Sequence, residues 1–156
     1  MDKIALFPGS FDPFTIGHES IVRRALPLFD KIIIAIGINT SKKTLLSPEN
    51  REKMIKDVFA NEKKIEVAIF QGLTVDFCKK VRAKYLLRGL RTAADFEYER
   101  AIGQMNKAMK PEIESIFLLT STEYTPINST IVRDIIIFGG DATKFLPEGI
   151  DIRKYL

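Results

Sequence analysis

The chain has 156 residues, of which 46% are hydrophobic and 28% charged, a composition typical of a water-soluble domain with its own core. One cysteine and one histidine exclude an intrachain disulfide and a zinc site built from four Cys or His ligands. The net charge of +4 is spread along the chain without a basic arm, which favours small phosphate-bearing ligands over nucleic acid. With no signal-like N-terminus and no apolar run of bilayer length, we predict one cytoplasmic domain over residues 1–156, without membrane association.

Five apolar runs and five helical patterns alternate along the chain. The runs are rich in Ile, Val, Leu and Phe and do not alternate strictly with polar residues, as expected of strands covered on both faces. Predicted strands span residues 3–7, 31–38, 65–70, 84–88 and 115–119, and predicted helices span residues 17–29, 48–59, 74–81, 93–109 and 129–138. This order predicts an α/β fold, a Rossmann-like five-stranded parallel sheet with helices on both faces.

The segment at the end of the first strand, residues 7–18, reads Phe-Pro-Gly-Ser-Phe-Asp-Pro-Phe-Thr-Ile-Gly-His. It leads into a helix through a turn rich in Gly and Pro, so free backbone N–H groups and the helix dipole point at one place. His18, the only histidine, stands where the helix begins. It can donate a hydrogen bond to a phosphate oxygen, and it can be charged near neutral pH when an anion binds. The alternative interpretation is a capped turn with a surface histidine.

Polar residues also follow the other predicted strands, where parallel α/β sheets bind ligands. Lys42 and Lys43 follow the second strand and are either phosphate ligands or ordinary surface residues. The Arg-Gly-Leu-Arg segment 88–91 suits a bidentate grip on phosphate, although the acidic residues after it could pair with its arginines instead. Segment 125–130 opens the last long helix, where one polar residue caps the helix and the others are left for a second anion.

Two of these segments carry a family resemblance. Thr15-Ile16-Gly17-His18 resembles the (H/T)xGH signature of the nucleotidylyltransferase superfamily. The string over residues 88–99, Arg-Gly-Leu-Arg-x-x-x-Asp-Phe-Glu-Tyr-Glu, is similar to a signature of phosphopantetheine adenylyltransferases. That family implies conversion of ATP and 4'-phosphopantetheine into dephospho-coenzyme A and pyrophosphate in coenzyme A biosynthesis, with Mg²⁺, by a homohexamer. The substrate phosphate would attack in line, so catalysis would consist of positioning and electrostatic stabilisation.

The resemblance also implies roles for individual residues. His18 is the expected catalytic residue, which stabilises the transition state. The implied ATP-binding residues are Ser10, Phe11, His18, Gly89, Leu90, Arg91, Glu99, Tyr124, Thr125, Pro126, Ile127, Asn128, Ser129 and Thr130. The implied phosphopantetheine-binding residues are Ser10, Lys42, Thr74 and Arg88. No protein ligand is assigned to Mg²⁺, because phosphate oxygens and water would hold the ion.

Two other functions stay open on the sequence. A nucleotidylyltransferase that uses nicotinamide mononucleotide or glycerol phosphate would keep His18 but should lack the string over residues 88–99, and the Arg-Thr-Glu-Gly-Ile-Ser-type motif of cytidylyltransferases is absent. A non-catalytic nucleotide- or RNA-binding module on this fold would bind RNA in a salt-dependent way even with ATP present. The apolar residues 135–138 are either covered by a partner chain or form the buried end of a helix.

Overall fold

Neighbouring strands of the sheet all run parallel in the computed structural model, which describes residues 1–156. The strands are β1 (Ile4–Gly9), β2 (Lys31–Gly37), β3 (Ile65–Phe70), β4 (Tyr85–Leu90) and β5 (Glu114–Leu119). Their order across the sheet is β3-β2-β1-β4-β5, so the chain winds outward from β1 in one direction and from β4 in the other. The predicted Rossmann-like sheet is confirmed, and its switch point lies between β1 and β4, where such sheets bind ligands.

Five α-helices accompany the strands. They are α1 (Ile16–Ala25), α2 (Pro48–Val58), α3 (Thr74–Val81), α4 (Ala93–Met109) and α5 (Ser129–Ile137), and short 3-10 turns span Leu26–Leu28, Thr122–Tyr124, Thr143–Phe145 and Ile152–Lys154. The predicted bounds of α3 and α4 are confirmed. The first helix ends earlier than predicted, because Pro27 lacks the N–H that an α-helix needs and the chain tightens into a 3-10 turn there. None of the helices combines the length and the apolar character that crossing a membrane requires.

Two strands extend further toward the carboxyl edge of the sheet than predicted. Strand β1 continues to Gly9, which pairs with Ile36 of β2. Strand β4 continues past the predicted end at Arg88, and its Gly89 and Leu90 pair with Leu118 and Leu119 of β5. The backbone of this edge is therefore fixed by the hydrogen bonds of the sheet, which gives the side chain of Arg88 a rigid base.

The two faces of the sheet pack into separate hydrophobic cores. In β2, Ile32, Ile34 and Ile36 belong to the larger core of 20 buried residues, while Ile33 and Ala35 belong to the smaller core of 9. Helices α1, α2 and α5 contribute to the larger core and α3 to the smaller one, so helices cover both faces as predicted. Each buried isoleucine contributes about 1.5–3 kcal/mol, which fixes the register of the central strands.

Helices α4 and α5 leave apolar side chains exposed. Helix α4 has no buried residue, and its Tyr98 and Met105 are 70% and 64% exposed. Ile137 of α5 is 58% exposed, and Phe138, directly after the helix, is 86% exposed. The interpretation of residues 135–138 as a buried helix end is therefore wrong for Ile137 and Phe138.

A Cβ at Gly9 would lie 2.8 Å from Cζ of Phe11. Because Phe7 and Phe14 hold that ring, we expect Gly9→Ala to lower the free energy of unfolding by about 1–3 kcal/mol in chemical denaturation. Gly17→Ala is the matched control, since the nearest atom to a Cβ there lies at 3.5 Å. Equal stability of the two variants would contradict this explanation of Gly9.

Candidate active site

Two adjoining cavities open at the carboxyl ends of β1 and β4. The first, of about 280 Å³, is named the α1 cavity because His18 and Ile21 of α1 line it together with Arg91. The second, of about 350 Å³, is named the β3 cavity because Phe70 of β3 lines it together with Thr74. Both cavities are lined by Pro8, Gly9, Ser10, Arg88 and Glu99, which we call the shared wall. Ligands in the two cavities would therefore meet at these five residues.

An ion pair holds the shared wall in place. Arg88 donates from Nε to Glu99 Oε2 at 2.9 Å and from Nη2 to Oε1 at 2.6 Å, which is a bidentate geometry. Its Nη1 donates to the Pro8 carbonyl at 2.8 Å, so one orientation of the guanidinium is fixed. Asp95 forms a second pair in this region, with Arg91 at 3.2 Å. The alternative that acidic residues of α4 pair with the two arginines is thus confirmed, and both arginines still line the cavities.

His18 is the third residue of α1 and forms a capping box with Thr15. The His18 N–H donates to Thr15 Oγ1 at 3.3 Å, and the Thr15 N–H donates to His18 Nδ1 at 3.0 Å. Because Nδ1 accepts this bond, the proton of the neutral ring is assigned to Nε2. Phe11 and Phe14 flank the ring, with centroids 5.0 and 5.3 Å away. The predicted cap is confirmed, but the ring is partly buried in the α1 cavity rather than free on the surface.

The site keeps His18 neutral. Burial, together with the positive charges of Arg91 and Arg88, lowers the pKa of His18 from 6.5 to about 3. The imidazole of the protein alone is therefore uncharged at neutral pH and acts as a hydrogen-bond donor through Nε2. An anion in the α1 cavity would offset the arginines and raise this pKa, so a charged His18 beside a bound anion stays a prediction.

Side chains from two other helices hold the β1–α1 loop, residues 10–15. Arg51 of α2 donates from Nη1 to the Ser10 carbonyl at 2.7 Å. Arg133 of α5 donates from Nη1 to the Asp12 carbonyl at 2.8 Å. Both bonds draw carbonyl oxygens toward arginines, and the loop's N–H groups without a partner in the chain, such as that of Phe11, are then available to an anion.

The start of α5 is tied to the same loop. Asn128 caps α5 by accepting from the N–H of Ile131 at 2.9 Å, so the predicted cap is this residue. The hydroxyl of Ser129 donates to the Pro13 carbonyl at 2.9 Å and is therefore engaged within the chain. Residues from the starts of both α1 and α5 line the α1 cavity, so two helix dipoles add positive potential there.

Most of the predicted site residues lie at the two cavities. The residues implied for ATP that line the α1 cavity are Ser10, Phe11, His18, Gly89, Arg91, Glu99, Tyr124, Ile127, Asn128 and Ser129. The residues implied for phosphopantetheine that line the β3 cavity are Ser10, Thr74 and Arg88. Outside both linings lie Lys42, Leu90, Thr125, Pro126 and Thr130. Lys42 is exposed, and its N–H donates to the carbonyl of Asn39, which lines the β3 cavity.

The carboxylates at the α1 cavity are already engaged within the chain. Asp12 accepts the N–H groups of Leu46 and Leu45 at 2.8 and 2.9 Å, while Asp95 and Glu99 pair with arginines. Nowhere in the chain do three or more Cys, His, Asp or Glu side chains cluster so that they could hold a metal ion.

Sequence reasoning missed Asp12, Arg51 and Arg133, whose role is to hold the loop. A signal exists for Arg51, because it stands three and four residues before Met54 and Ile55 on the buried face of α2. A charged residue in an apolar helical stripe needs a buried partner, and here that partner is a loop carbonyl. Arg133 gives no comparable signal, since it follows the buried Val132 on a polar side of α5.

A parallel sheet with a Gly/Pro-rich loop after β1 and a histidine at the start of α1 defines the nucleotidylyltransferase class. A family model described as cytidylyltransferase-like matches residues 6–135, and the chain belongs to this family. It is 50% identical to the phosphopantetheine adenylyltransferase of Flavobacterium psychrophilum, over 96% of this chain and 98% of that protein. The corresponding protein of Christiangramia forsetii is 51% identical, over 94% of this chain and 96% of its own length. Within the cytidylyltransferase-like family, the chain belongs to the phosphopantetheine adenylyltransferases, which confirms the resemblance.

A solved structure shares the fold. It is that of a Vibrio parahaemolyticus protein provisionally assigned as a nicotinate-nucleotide adenylyltransferase, with a TM-score of 0.70 over 94% of each chain. The sequences are only 19% identical, so this similarity shows the common architecture and does not bear on the acceptor.

As the only histidine, His18 gives a direct test of its protonation state. We expect the ring of the ligand-free protein to stay neutral, with the proton on Nε2, from about pH 8 to about pH 5, because its pKa is about 3. Nitrogen-15 NMR of the ring measures its charge and the nitrogen that carries the proton. Addition of tripolyphosphate should raise the pKa of His18. The urea-unfolded chain is the control and should titrate near 6.5. Acidification through this range therefore favours unfolding, since only the unfolded chain takes up the proton. Titration of the folded, ligand-free protein near 6.5 would contradict the assignment.

Proposed function

We propose that the protein transfers the adenylyl group of ATP to 4'-phosphopantetheine, giving dephospho-coenzyme A and pyrophosphate. The observation that carries this proposal is the pair of cavities that meet at Ser10 and Arg88. A transfer between two phosphate-bearing substrates needs two adjoining sites whose reacting phosphates lie close together. The names of relatives about 50% identical over nearly the full length support this pair of substrates.

The α1 cavity suits ATP. Its polyphosphate would lie against the starts of α1 and α5, where backbone N–H groups and helix dipoles favour anions. Arg91 contributes charge at the rim, because it is held toward the cavity by Asp95 and by the carbonyl of Ile127. In its neutral form, His18 contributes an Nε2–H donor whose direction is fixed by Thr15.

The β3 cavity suits the phosphopantetheine arm, which alternates apolar and amide groups. Phe70, Ile102 and Phe117 give the cavity apolar surface, while Asn39 and Asn106 offer amide partners. The substrate phosphate would bind Arg88 and Ser10 at the shared wall. Lys42, on the exposed loop above this cavity, would reach the same phosphate as a flexible point charge.

The proposed reaction is a direct in-line displacement. A phosphate oxygen of phosphopantetheine attacks the α-phosphorus of ATP. The bond between that phosphorus and the oxygen that links it to the β-phosphorus breaks, and pyrophosphate leaves. No covalent enzyme intermediate is needed, because the attacking group is already an anion. Negative charge grows on the α-phosphoryl oxygens, and His18 Nε2–H would donate to one of them in the transition state. The chain's contribution is thus positioning and electrostatic stabilisation.

We propose that Mg²⁺ accompanies ATP rather than occupying a resident protein site. The carboxylates of the α1 cavity are engaged in backbone and arginine contacts, so the residues present do not form such a site. The ion would neutralise part of the polyphosphate charge. Oxygen atoms of ATP and water would be its ligands.

We also propose a cytoplasmic homohexamer, as the family resemblance implies. The exposed Tyr98 and Met105 of α4 and Ile137 and Phe138 at the end of α5 are apolar surface that subunit contacts would bury. Analytical ultracentrifugation distinguishes a hexamer of the 17.7 kDa chain from a monomer or dimer.

A panel of acceptors tests the proposed reaction. With ATP and Mg²⁺, we expect phosphopantetheine to be adenylylated, whereas nicotinamide mononucleotide and glycerol phosphate should not react. Chromatography of the adenylylated products separates the outcomes. Turnover of another acceptor without phosphopantetheine activity would overturn the assignment, and RNA binding that survives saturating ATP would favour a binding module instead.

Substitution of His18 tests its proposed part in the transition state. We expect His18→Ala to lower kcat by roughly 10²–10³-fold, equal to about 3–4 kcal/mol, because one donor to the developing charge is lost. ATP affinity, measured by calorimetry, should change much less, since Arg91 and the two helix starts still hold the phosphates.

His18→Asn is the matched control, because its side-chain oxygen can replace Nδ1 as acceptor for Thr15 while the Nε2 donor is lost. Both variants should be equally slow. Near-normal kcat in His18→Asn would show that the histidine serves only as a helix cap.

A further inference from the structure

The peptide between Ser10 and Phe11 has a defined orientation. Arg51 Nη1 donates to the Ser10 carbonyl at 2.7 Å. The peptide is trans, since the only cis peptide bond of the chain precedes Pro13, and in a trans peptide the C=O and N–H groups point in opposite directions. The Phe11 N–H therefore points away from Arg51, and it donates to no other backbone group of the chain.

Phe11 lines the α1 cavity. Its ring is buried, with its centroid 5.4 Å from that of Phe7 and 5.3 Å from that of Phe14. A phenylalanine side chain has no polar atom, so any polar contact of this residue with a ligand comes from its backbone. Its φ of 51° lies in the left-handed region, which a residue with a bulky side chain adopts only when its surroundings hold it there. The bond from Arg51 to Ser10 is one of the contacts that hold it.

A gain in stability does not explain why an arginine is buried at position 51. Its side chain is 2% exposed and lines neither cavity, and its Nε has no hydrogen-bond partner. Burying a charged group with an unpartnered N–H opposes folding, and the negative charges of Asp12 and Glu49 offset only part of this cost. An apolar side chain of similar length would fill the same space on α2. What an apolar residue could not do is bind the Ser10 carbonyl.

We propose that Arg51 is a positioning residue for the polyphosphate of the nucleotide: by holding the Ser10 carbonyl, it aims the Phe11 N–H into the α1 cavity. The proposal rests on the proposed function only in taking a nucleotide as the occupant of this cavity. If the peptide turned over, a carbonyl oxygen would replace the N–H donor and repel the phosphate. Arg51 thus acts on a ligand that it does not touch.

Binding of two probes to Arg51 variants tests this role. Tripolyphosphate reports on the phosphate contacts, and adenosine reports on the rest of the nucleotide site; calorimetry and ligand-observed NMR measure the two affinities. We expect Arg51→Met to weaken tripolyphosphate binding about ten-fold, the size expected for one disrupted bond to a charged group, while adenosine affinity stays within about two-fold. Arg51→Lys, which can still donate to the carbonyl, should restore most of the loss.

Two further variants keep the test decisive. Arg51→Gln places its amide nitrogen where Nε lies, two bonds short of the Ser10 contact, so it should show the same selective loss even if Arg51→Met folds poorly. Lys56→Met is the control for charge, because it removes a cation from the exposed side of α2 that pairs only with Glu52. It should leave both affinities unchanged.

The outcomes separate positioning from general support of the fold. Equal loss of tripolyphosphate and adenosine binding, or no loss in Arg51→Met and Arg51→Gln, would overturn the proposal. An equal effect of Lys56→Met would assign the change to net charge and overturn it as well. Neither probe involves the acceptor, so a failure of the phosphopantetheine assignment in the acceptor panel would leave this result to stand or fall separately.

Discussion

The β1–α1 loop is built around the pairing of its carbonyl oxygens with side-chain donors. A segment that is to bind an anion through backbone N–H groups also carries carbonyl groups, and each carbonyl left facing the anion would repel it. Here Ser10 and Asp12 direct their carbonyls to the arginines of α2 and α5, and Pro13 directs its carbonyl to Ser129. Residues far apart in the sequence are therefore needed to make one short loop attractive to phosphate.

The same arginines that make the α1 cavity positive also help to set the protonation state of His18. Arg91 and Arg88, together with burial, keep the pKa of His18 far below neutrality, so the ring donates a hydrogen bond without adding a further charge. Its acceptor nitrogen is occupied by Thr15, which leaves one donor in one direction. In the reaction proposed above, the hydrogen bond from this donor would strengthen as negative charge develops on the α-phosphoryl oxygens.

The sequence predicts the fold well because each element carries a local signal. Ser47 followed by Pro48 marks the start of α2, and the apolar runs mark all five strands. The Gly/Pro turn and His18 likewise predict where the site lies. Pairing of Arg88 with an acidic residue of α4 is one of the two interpretations of the sequence, but neither the choice of Glu99 nor the contact of Arg51 with Ser10 could be predicted in this way. Both contacts join residues brought together only by the packed sheet, and no local pattern specifies which partner a charged side chain will choose.

The shared wall has a thermodynamic consequence. Because Ser10, Arg88 and Glu99 border both cavities, a single molecule could occupy the two at once by crossing this boundary. Such a molecule would lose its translational and rotational freedom once, whereas two separate ligands lose theirs twice. The association constant of this molecule would then approach the product of the association constants of its two parts. Its affinity would also depend on the length of the group that crosses the shared wall. The shared wall thus favours binding of a joined compound over binding of its two separate parts.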